Sequence, residues 1–191
     1  MTHIVNSEQW WDEVSLKYEE CGDLRERPEE YTTFGNLVSY KAKVLEIGSA
    51  YGMFSRYIPV DCEYTGWDIS MKLINKAYEL NPHTYVRKDI ALYSPCAEDA
   101  QKFDYTVCFQ TLEHFNKAIF VNVMHKIKFL TKKELLFSVP KGKPSAERMK
   151  AEGHLIGWDD EKELIADFVK FGKVTIIEGD ETHICGVVNY E

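Results

Sequence analysis

The sequence has few of the features that mark secreted or membrane-spanning proteins. Its five cysteines are odd in number and form no Cys-x-x-Cys pair, so neither a disulfide framework nor a structural zinc site is expected. No stretch approaches the ~20 apolar residues that cross a bilayer. Near Met1 there is no basic segment followed by an apolar run, so no signal peptide is predicted. These absences favour a cytoplasmic protein with reduced thiols.

Positive charge is also scarce. The chain carries 23 Lys and Arg against 31 Asp and Glu, a formal net charge of −8. Binding to duplex nucleic acid is driven by Lys and Arg, which release the counterions condensed on phosphates. A general duplex-binding surface is therefore not expected, although a local pocket for a nucleic-acid end is compatible with this balance.

The length of 191 residues and a composition of 45% hydrophobic and 28% charged residues are typical of one globular domain. Residues 1–40 are predicted to form a leading helical or cap segment, and residues 41–191 the main domain. Asn6 and Ser7 are candidate N-caps for a helix that carries Trp10 and Trp11.

From residue 43 onward, short apolar runs alternate with helical or polar stretches. This alternation predicts a doubly wound α/β fold with a mostly parallel sheet. Helices are predicted over 70–80 and 160–171. Only residues 179–182 join the last two strands, which permits a hairpin but no crossover, so the last strand is expected to be antiparallel. The predicted strands are 44–47, 63–67, 83–86, 103–109, 134–139, 173–178 and 183–190.

The first strand leads into a glycine-containing turn, Glu46-Ile47-Gly48-Ser49-Ala50-Tyr51-Gly52. Glycines let the backbone approach a ligand closely, and ligands of open α/β sheets bind beyond the carboxyl ends of the strands. The turn lacks Gly-x-Gly-x-x-Gly, and the chain lacks Gly-Lys-Ser/Thr. Glu46 would repel a pyrophosphate and suits a cationic or amino-bearing ligand. Asp68, twenty residues after Gly48, is placed to accept hydrogen bonds from both hydroxyls of a ribose.

Four motifs in this order resemble those of the class I S-adenosylmethionine-dependent methyltransferases. They are Glu46–Gly52 after the first strand, Gly66-Trp67-Asp68-Ile69-Ser70 after the second, Arg87-Lys88-Asp89-Ile90, and Phe103–Cys108 followed by Gln110-Thr111-Leu112-Glu113-His114. The likeness covers residues 43 to 190. It implies a seven-stranded sheet of order 3-2-1-4-5-7-6 with helices on both faces, S-adenosylmethionine as cofactor, and methyl transfer as the reaction.

The resemblance also assigns roles to individual residues. The acid and glycines of the first motif would flank the methionine part of the cofactor, and Asp68 would hold the ribose. Ile69 would pack on the adenine, whose amino edge Asp89 and Ile90 would recognise. Residues after the fourth strand would lie near the sulfonium. The implied cofactor-binding residues are Glu46, Gly48, Ser49, Ala50, Tyr51, Gly52, Asp68, Ile69, Asp89, Ile90, Gln110 and Thr111.

Methyl transfer from a sulfonium requires little chemical assistance. It depends mainly on holding the nucleophile about 3 Å away and collinear, and a general base helps only if the acceptor must lose a proton. His114 and His154 are the candidate catalytic bases. Because the chain has no separate substrate domain, a small-molecule acceptor is predicted.

Two alternatives stay open at this point. Glu113, His114 and His154, with Gln110, resemble the metal site of the small-RNA 3′-terminal 2′-O-methyltransferases. Gln110 stands where that pattern has a glutamate, and an amide is a poorer ligand for a hard cation, so no metal is expected. A metal-dependent 2′-O-methyltransferase acting on an RNA 3′ end is therefore one alternative. A non-catalytic, methyltransferase-like binding protein is the other.

Overall fold

Seven strands form one mixed sheet in the computed structural model, which describes residues 6–23, 26–177 and 181–191. The strands are β1 (Lys43–Ile47), β2 (Glu63–Asp68), β3 (Thr84–Arg87), β4 (Phe103–Phe109), β5 (Thr131–Pro140), β6 (Lys173–Ile177) and β7 (His183–Asn189). Their order is β3-β2-β1-β4-β5-β7-β6, and β7 runs antiparallel to both β5 and β6. The predicted fold class, strand order and antiparallel last strand are confirmed.

Helices accompany the strands along the chain. They are α1 (Glu8–Cys21), α2 (Pro28–Gly35), α3 (Met71–Leu80), α4 (Lys117–Leu130), α5 (Ala146–Ala151) and α6 (Glu161–Phe168). Among the helices that the structure describes, none is long and apolar enough to cross a membrane. The chain divides into two compact units, residues 1–89 and 90–191. The division into a segment of residues 1–40 and a domain of residues 41–191 stays a prediction.

The element boundaries differ from the predicted ones in a few places. A short 3₁₀ helix, Met53–Arg56, follows the glycine turn, and Pro59 soon after it cannot continue a helix. Strand β5 begins at Thr131, directly after α4. The predicted strand residue Glu178 and the first part of the predicted hairpin link lie outside the described residues.

In the first unit, α1 is tied to the start of α3. Ser7 caps α1 by accepting a hydrogen bond from the Trp10 amide, so this predicted N-cap is confirmed. From the middle of α1, the Asp12 carboxylate accepts a 2.5 Å hydrogen bond from the hydroxyl of Ser70, which is the N-cap of α3. The leading helix therefore packs beside the residue that follows β2.

The left-handed backbone at two glycines allows a matched test of packing at the glycine turn. Gly52 has φ +69°, and a Cβ there would lie 2.3 Å from the Tyr85 hydroxyl oxygen; Gly22 has φ +71° with nothing within 4 Å of such a Cβ. Alanine at Gly22 should cost about 1–2 kcal/mol of backbone strain. At Gly52 we expect about 1–3 kcal/mol more from overpacking, measured by urea unfolding of both variants. Equal losses in the free energy of unfolding of the two variants would show that the Tyr85 side chain moves aside at no cost.

In the second unit, aromatic packing anchors the segment between α5 and α6. Phe168 of α6 stacks on Phe137 of β5 with ring centroids 4.5 Å apart. Trp158 is 1% exposed, and its indole N–H donates a 2.9 Å hydrogen bond to Asp167. The Trp158 carbonyl accepts from the Gly142 amide at 2.7 Å. These contacts hold the chain on both sides of Trp158, four residues beyond His154.

Candidate functional site

The turn after β1 has an unusual backbone conformation. Gly48, Ala50 and Gly52 have φ values of 73°, 44° and 69°, a region that L-residues other than glycine rarely adopt. The amides of Gly48 and Ser49 both donate to the Trp67 carbonyl of β2, at 2.8 and 3.1 Å. A strained alanine held in place by its surroundings is the kind of feature that clusters at functional sites.

Asp68 fixes this turn against the start of α3. Its carboxylate accepts a 2.9 Å hydrogen bond from the Ala50 amide through Oδ2 and another of 2.9 Å from the Ser70 amide through Oδ1. Asp68 is 7% exposed, and burial raises its pKa to about 6, with the nearby Asp12 adding to the shift. Backbone hydrogen bonds from Ser70, Ala50 and Ile69 oppose this shift.

Glu46 lies at the carboxyl end of β1 and is fully enclosed. It is 3% exposed and accepts a short hydrogen bond from the Tyr64 hydroxyl. Burial raises the pKa of Glu46 to about 8, although the Tyr64 bond opposes the shift. The carboxyl is therefore largely protonated at neutral pH, and a cation beside it would favour the ionised form.

These raised pKa values predict a pH dependence of stability. A carboxyl whose pKa is higher in the folded than in the unfolded state binds more protons in the folded state. Its contribution to the free energy of unfolding is therefore complete below the unfolded-state pKa and is lost as the pH rises through the folded-state pKa. For Glu46 this stabilisation is lost as the pH rises from 4.5 to about 8, and for Asp68 it is lost as the pH rises from 3.8 to about 6. The free energy of unfolding should fall by a few kcal/mol between pH 5 and 8, since one pKa unit is about 1.4 kcal/mol.

Urea unfolding at several pH values measures this slope. Glu46→Gln should flatten the part above pH 6, because glutamine does not titrate and its amide oxygen still accepts from Tyr64. An unchanged slope in Glu46→Gln would mean that Glu46 is ionised in the folded protein.

Two buried hydroxyls lie in the same turn. Ser49 Oγ and Tyr51 Oη have no hydrogen-bond partner among the described residues, although Ser49 is 4% and Tyr51 2% exposed. Tyr51 also lines a cavity of about 300 Å³ together with Tyr18, Glu19 and Lys76. Buried hydroxyls are usually bonded, so this turn has donors available to a ligand.

The remaining predicted cofactor residues have the following places. Ile69 and Asp89 are half-buried, whereas Ile90 is buried. Gln110 follows β4 with φ +49°, and its side-chain amide donates to the Ser138 hydroxyl at 3.1 Å. The Thr111 hydroxyl donates to the Phe109 carbonyl at 2.9 Å. Gln110 is thus a non-glycine residue with positive φ directly after a strand.

In the second unit the structure brings together Glu113, His114 and His154. Glu113 is 1% exposed, and the two imidazoles are 11% and 12% exposed. Nε2 of each histidine lies 3.9 Å from Oε1 of Glu113, and the ring centroids of the histidines are 5.1 Å apart. Both predicted catalytic histidines therefore belong to one cluster around a buried carboxylate.

Backbone hydrogen bonds hold the two chain segments of this cluster together. The Glu113 carbonyl accepts from the amides of Leu155 and Ile156, at 2.7 and 3.2 Å. The Gly153 carbonyl lies 3.2 Å from Nδ1 of His114. The segment with Glu113 and His114 and the segment of residues 153–156 therefore hold each other's side chains in position.

Comparison with known proteins decides the family. A model described as "Methyltransferase domain" matches residues 18–169. The chain belongs to this methyltransferase family. A search of curated protein sequences finds no significant match.

Solved structures confirm the class I, Rossmann-like methyltransferase fold. The DhpI-SAM-HEP complex matches with a TM-score of 0.72 and 13% identity, covering 98% of each chain. A chain of the complex between the Haloferax volcanii Trm112 methyltransferase activator and a methyltransferase matches with a TM-score of 0.71 and 12% identity, covering 99% of each chain. An S-adenosylmethionine-dependent methyltransferase from Aquifex aeolicus matches with 0.65 and 13%, covering 85% of this chain and 90% of that one.

This protein is therefore a methyltransferase and an enzyme, and its family implies S-adenosylmethionine as the cofactor. Sequence reasoning assigned no site role to Asp12, which contacts Ser70 beside Asp68, because no local pattern links residues so far apart. It considered Glu113 only as a metal ligand. The residue's burial between the two histidines depends on the chain returning at 153–156.

Proposed function

We propose that this methyltransferase binds S-adenosylmethionine in its first unit and methylates a small-molecule acceptor. The cofactor assignment rests on the turn after β1. This turn is held by Asp68 and contains two buried hydroxyls with no hydrogen-bond partner among the described residues. When bound, S-adenosylmethionine supplies a methyl group that its sulfonium has already activated.

The residues of the first unit fit this cofactor. Asp68 would accept hydrogen bonds from the ribose hydroxyls, and its carboxylate is already oriented by the backbone amides of Ala50 and Ser70. The enclosed Glu46 favours a positively charged neighbour, such as the ammonium or sulfonium of the methionine part. The hydroxyls of Ser49 and Tyr51 are available as hydrogen-bond donors there.

The other contacts follow the family pattern and are part of the proposal. Ile69 packs on the adenine, and Asp89 with Ile90 recognises its amino edge. Backbone at Gly48, Ala50 and Gly52 borders the methionine part. Gln110 and Thr111, directly after β4, contact the region of the sulfonium.

On the acceptor side, we assign His114 and His154 as the catalytic residues. Polar groups that are nearly buried yet rigidly held can orient the acceptor atom, which is what in-line methyl transfer chiefly requires. A small acceptor is supported by the match to the DhpI chain, which covers 98% of each chain. The DhpI complex itself contains SAM and HEP.

A cytoplasmic location also belongs to this proposal. All five cysteines are free thiols in the structure, as is usual for proteins of a reducing compartment. Fractionation of source cells with an antibody against the protein tests it, and recovery outside the cytoplasm would contradict it.

Calorimetric titration with S-adenosylmethionine and S-adenosylhomocysteine tests the cofactor assignment. We expect saturable binding of both with one site per chain and micromolar affinity. ATP and NAD serve as controls, because the turn lacks the features of pyrophosphate sites. Saturable binding of the controls with no binding of either sulfur compound would overturn the assignment. After binding is established, product mass from a screen of small hydroxyl, amine and carboxylate compounds identifies the acceptor; methylation of an RNA 3′ end alone would contradict the small-molecule class.

A further inference from the structure

We propose that Glu113, His114 and His154 bind a divalent transition-metal ion. Each of these residues offers one ligand atom, and the three atoms lie within 4.8 Å of one another. Two imidazole nitrogens and one carboxylate oxygen form a ligand set found in catalytic zinc sites and in non-haem iron sites. The sequence alone favoured a site without metal, because it placed Gln110 in the ligand set.

The orientation of both imidazoles supports this assignment. Nδ1 of His114 lies 3.2 Å from the Gly153 carbonyl oxygen, and Nδ1 of His154 lies 3.5 Å from Oε2 of Glu152. In metal sites the ring nitrogen that does not bind the metal typically donates to a carbonyl or carboxylate in this way. A proton on Nδ1 leaves the lone pair of Nε2 available. In both residues, Nε2 is the atom that faces Glu113.

Burial of the carboxylate points in the same direction. A buried carboxylate is stable when it is paired or coordinates a metal, and Glu113 is 1% exposed. Its partners at 3.9 Å are imidazoles, which carry positive charge only when protonated. A divalent ion between the three groups would supply this charge without requiring either histidine to be protonated.

The scaffold holds the three ligands nearly in place. Glu113 and His114 are adjacent in a 3₁₀ helix, Leu112–His114, which begins shortly after β4. The segment with His154 is joined to it by the Leu155 and Ile156 amides. Ligands about 2.1 Å from a metal in tetrahedral geometry are about 3.4 Å apart. The observed separations are 3.9 Å from the carboxylate to each imidazole and at most 4.8 Å within the set, so side-chain rotations that shorten them by about 0.5–1.4 Å complete the site.

The ligand set also selects the class of ion. Imidazole suits zinc, copper, iron and nickel, whereas magnesium and calcium prefer oxygen ligands. Three protein ligands leave at least one position open for an oxygen atom. The role of that position rests on the proposed function: it would hold a hydroxyl or carboxylate oxygen of the methyl acceptor.

Cobalt(II) is the probe for this site, because its visible spectrum reports both binding and coordination geometry. The full-length protein, free of affinity tags and stripped with chelator, is titrated with Co²⁺ and, by calorimetry, with Zn²⁺. We expect one ion per chain and a Co²⁺ spectrum of four- or five-coordination. Glu113→Gln and His154→Ala should each weaken binding at least 100-fold. Glu152→Gln, which removes the negative charge beside Nδ1 of His154 and also the ion pair of Glu152 with Arg148, should weaken it about tenfold.

The matched control is His183→Ala, which removes a histidine outside the cluster and should bind Co²⁺ like the wild type. Circular dichroism verifies that each variant is folded, and the wild-type titration does not depend on any variant. If the wild type binds neither Co²⁺ nor Zn²⁺ stoichiometrically, the inference is overturned. Binding that persists in folded Glu113→Gln and His154→Ala would also overturn it. Because metal is measured without cofactor, failure here leaves S-adenosylmethionine binding intact, and the reverse also holds.

Discussion

Replacement of His154 by alanine is expected to lower turnover about 100-fold or more while leaving the affinity for S-adenosylmethionine within about twofold. Small misplacements of a reacting group cost about this much in rate. His154 packs against His114 and Glu113 in the second unit, whereas Asp68, the proposed ribose ligand, and the glycine turn belong to the first. The measurement is a methyl-transfer assay with the identified acceptor, combined with calorimetry of cofactor binding.

His183→Ala is the control for the loss of any histidine, since His183 contacts Thr182 and has no proposed role. Metal content is measured in the same samples, so that loss of the ion and loss of the side chain can be compared. Full activity of His154→Ala would remove this residue from the acceptor site. Equal losses of activity and cofactor affinity would place it at the cofactor instead.

Asp68→Ala is expected to weaken S-adenosylmethionine binding about 100-fold. Two hydrogen bonds from ribose hydroxyls to a carboxylate are lost, each worth about 1.5–3 kcal/mol, and tenfold in affinity corresponds to about 1.4 kcal/mol. The variant also leaves the amides of Ala50 and Ser70 without their acceptor, so the turn should lose part of its order. Calorimetry measures the affinity, and thermal unfolding measures the loss of stability.

Asp99→Ala separates these two effects. Asp99 also accepts a backbone hydrogen bond, from the Cys96 amide at 3.0 Å, and one from the Tyr93 hydroxyl, yet it has no proposed cofactor contact. We expect Asp99→Ala to lower stability with cofactor affinity unchanged. If Asp68→Ala also keeps wild-type affinity, the ribose is bound elsewhere and Asp68 only organises the turn.

The structural neighbours have the same fold although they share little sequence with this chain. Neighbours with 12% and 13% identity share TM-scores of 0.71 and 0.72 over nearly the whole chain. Apolar strands separated by helices can be encoded by many sequences, because strand burial requires only hydrophobic residues of suitable shape. The fold therefore identifies the family more readily than it identifies an acceptor.

Elements whose causes are local follow from the amino-acid sequence alone. Alternating apolar runs and helices predicted the α/β sheet, and the link of four residues predicted the antiparallel β7. Ser70 was recognisable as the N-cap of α3, and Gly48 and Gly52 as parts of the turn after β1. Each of these follows from propensities and distances within a few residues along the chain.

Only the tertiary structure decided the contacts between distant residues. It placed His154 beside Glu113, joined Asp12 to Ser70, and enclosed Glu46 so that its pKa rises to about 8. Such contacts depend on where the chain returns after many residues, and a pKa depends on everything that excludes water from the group. A single sequence contains no local pattern for either, so the distances within the cluster of Glu113, His114 and His154 and the burial of Glu46 became evident only in the folded chain.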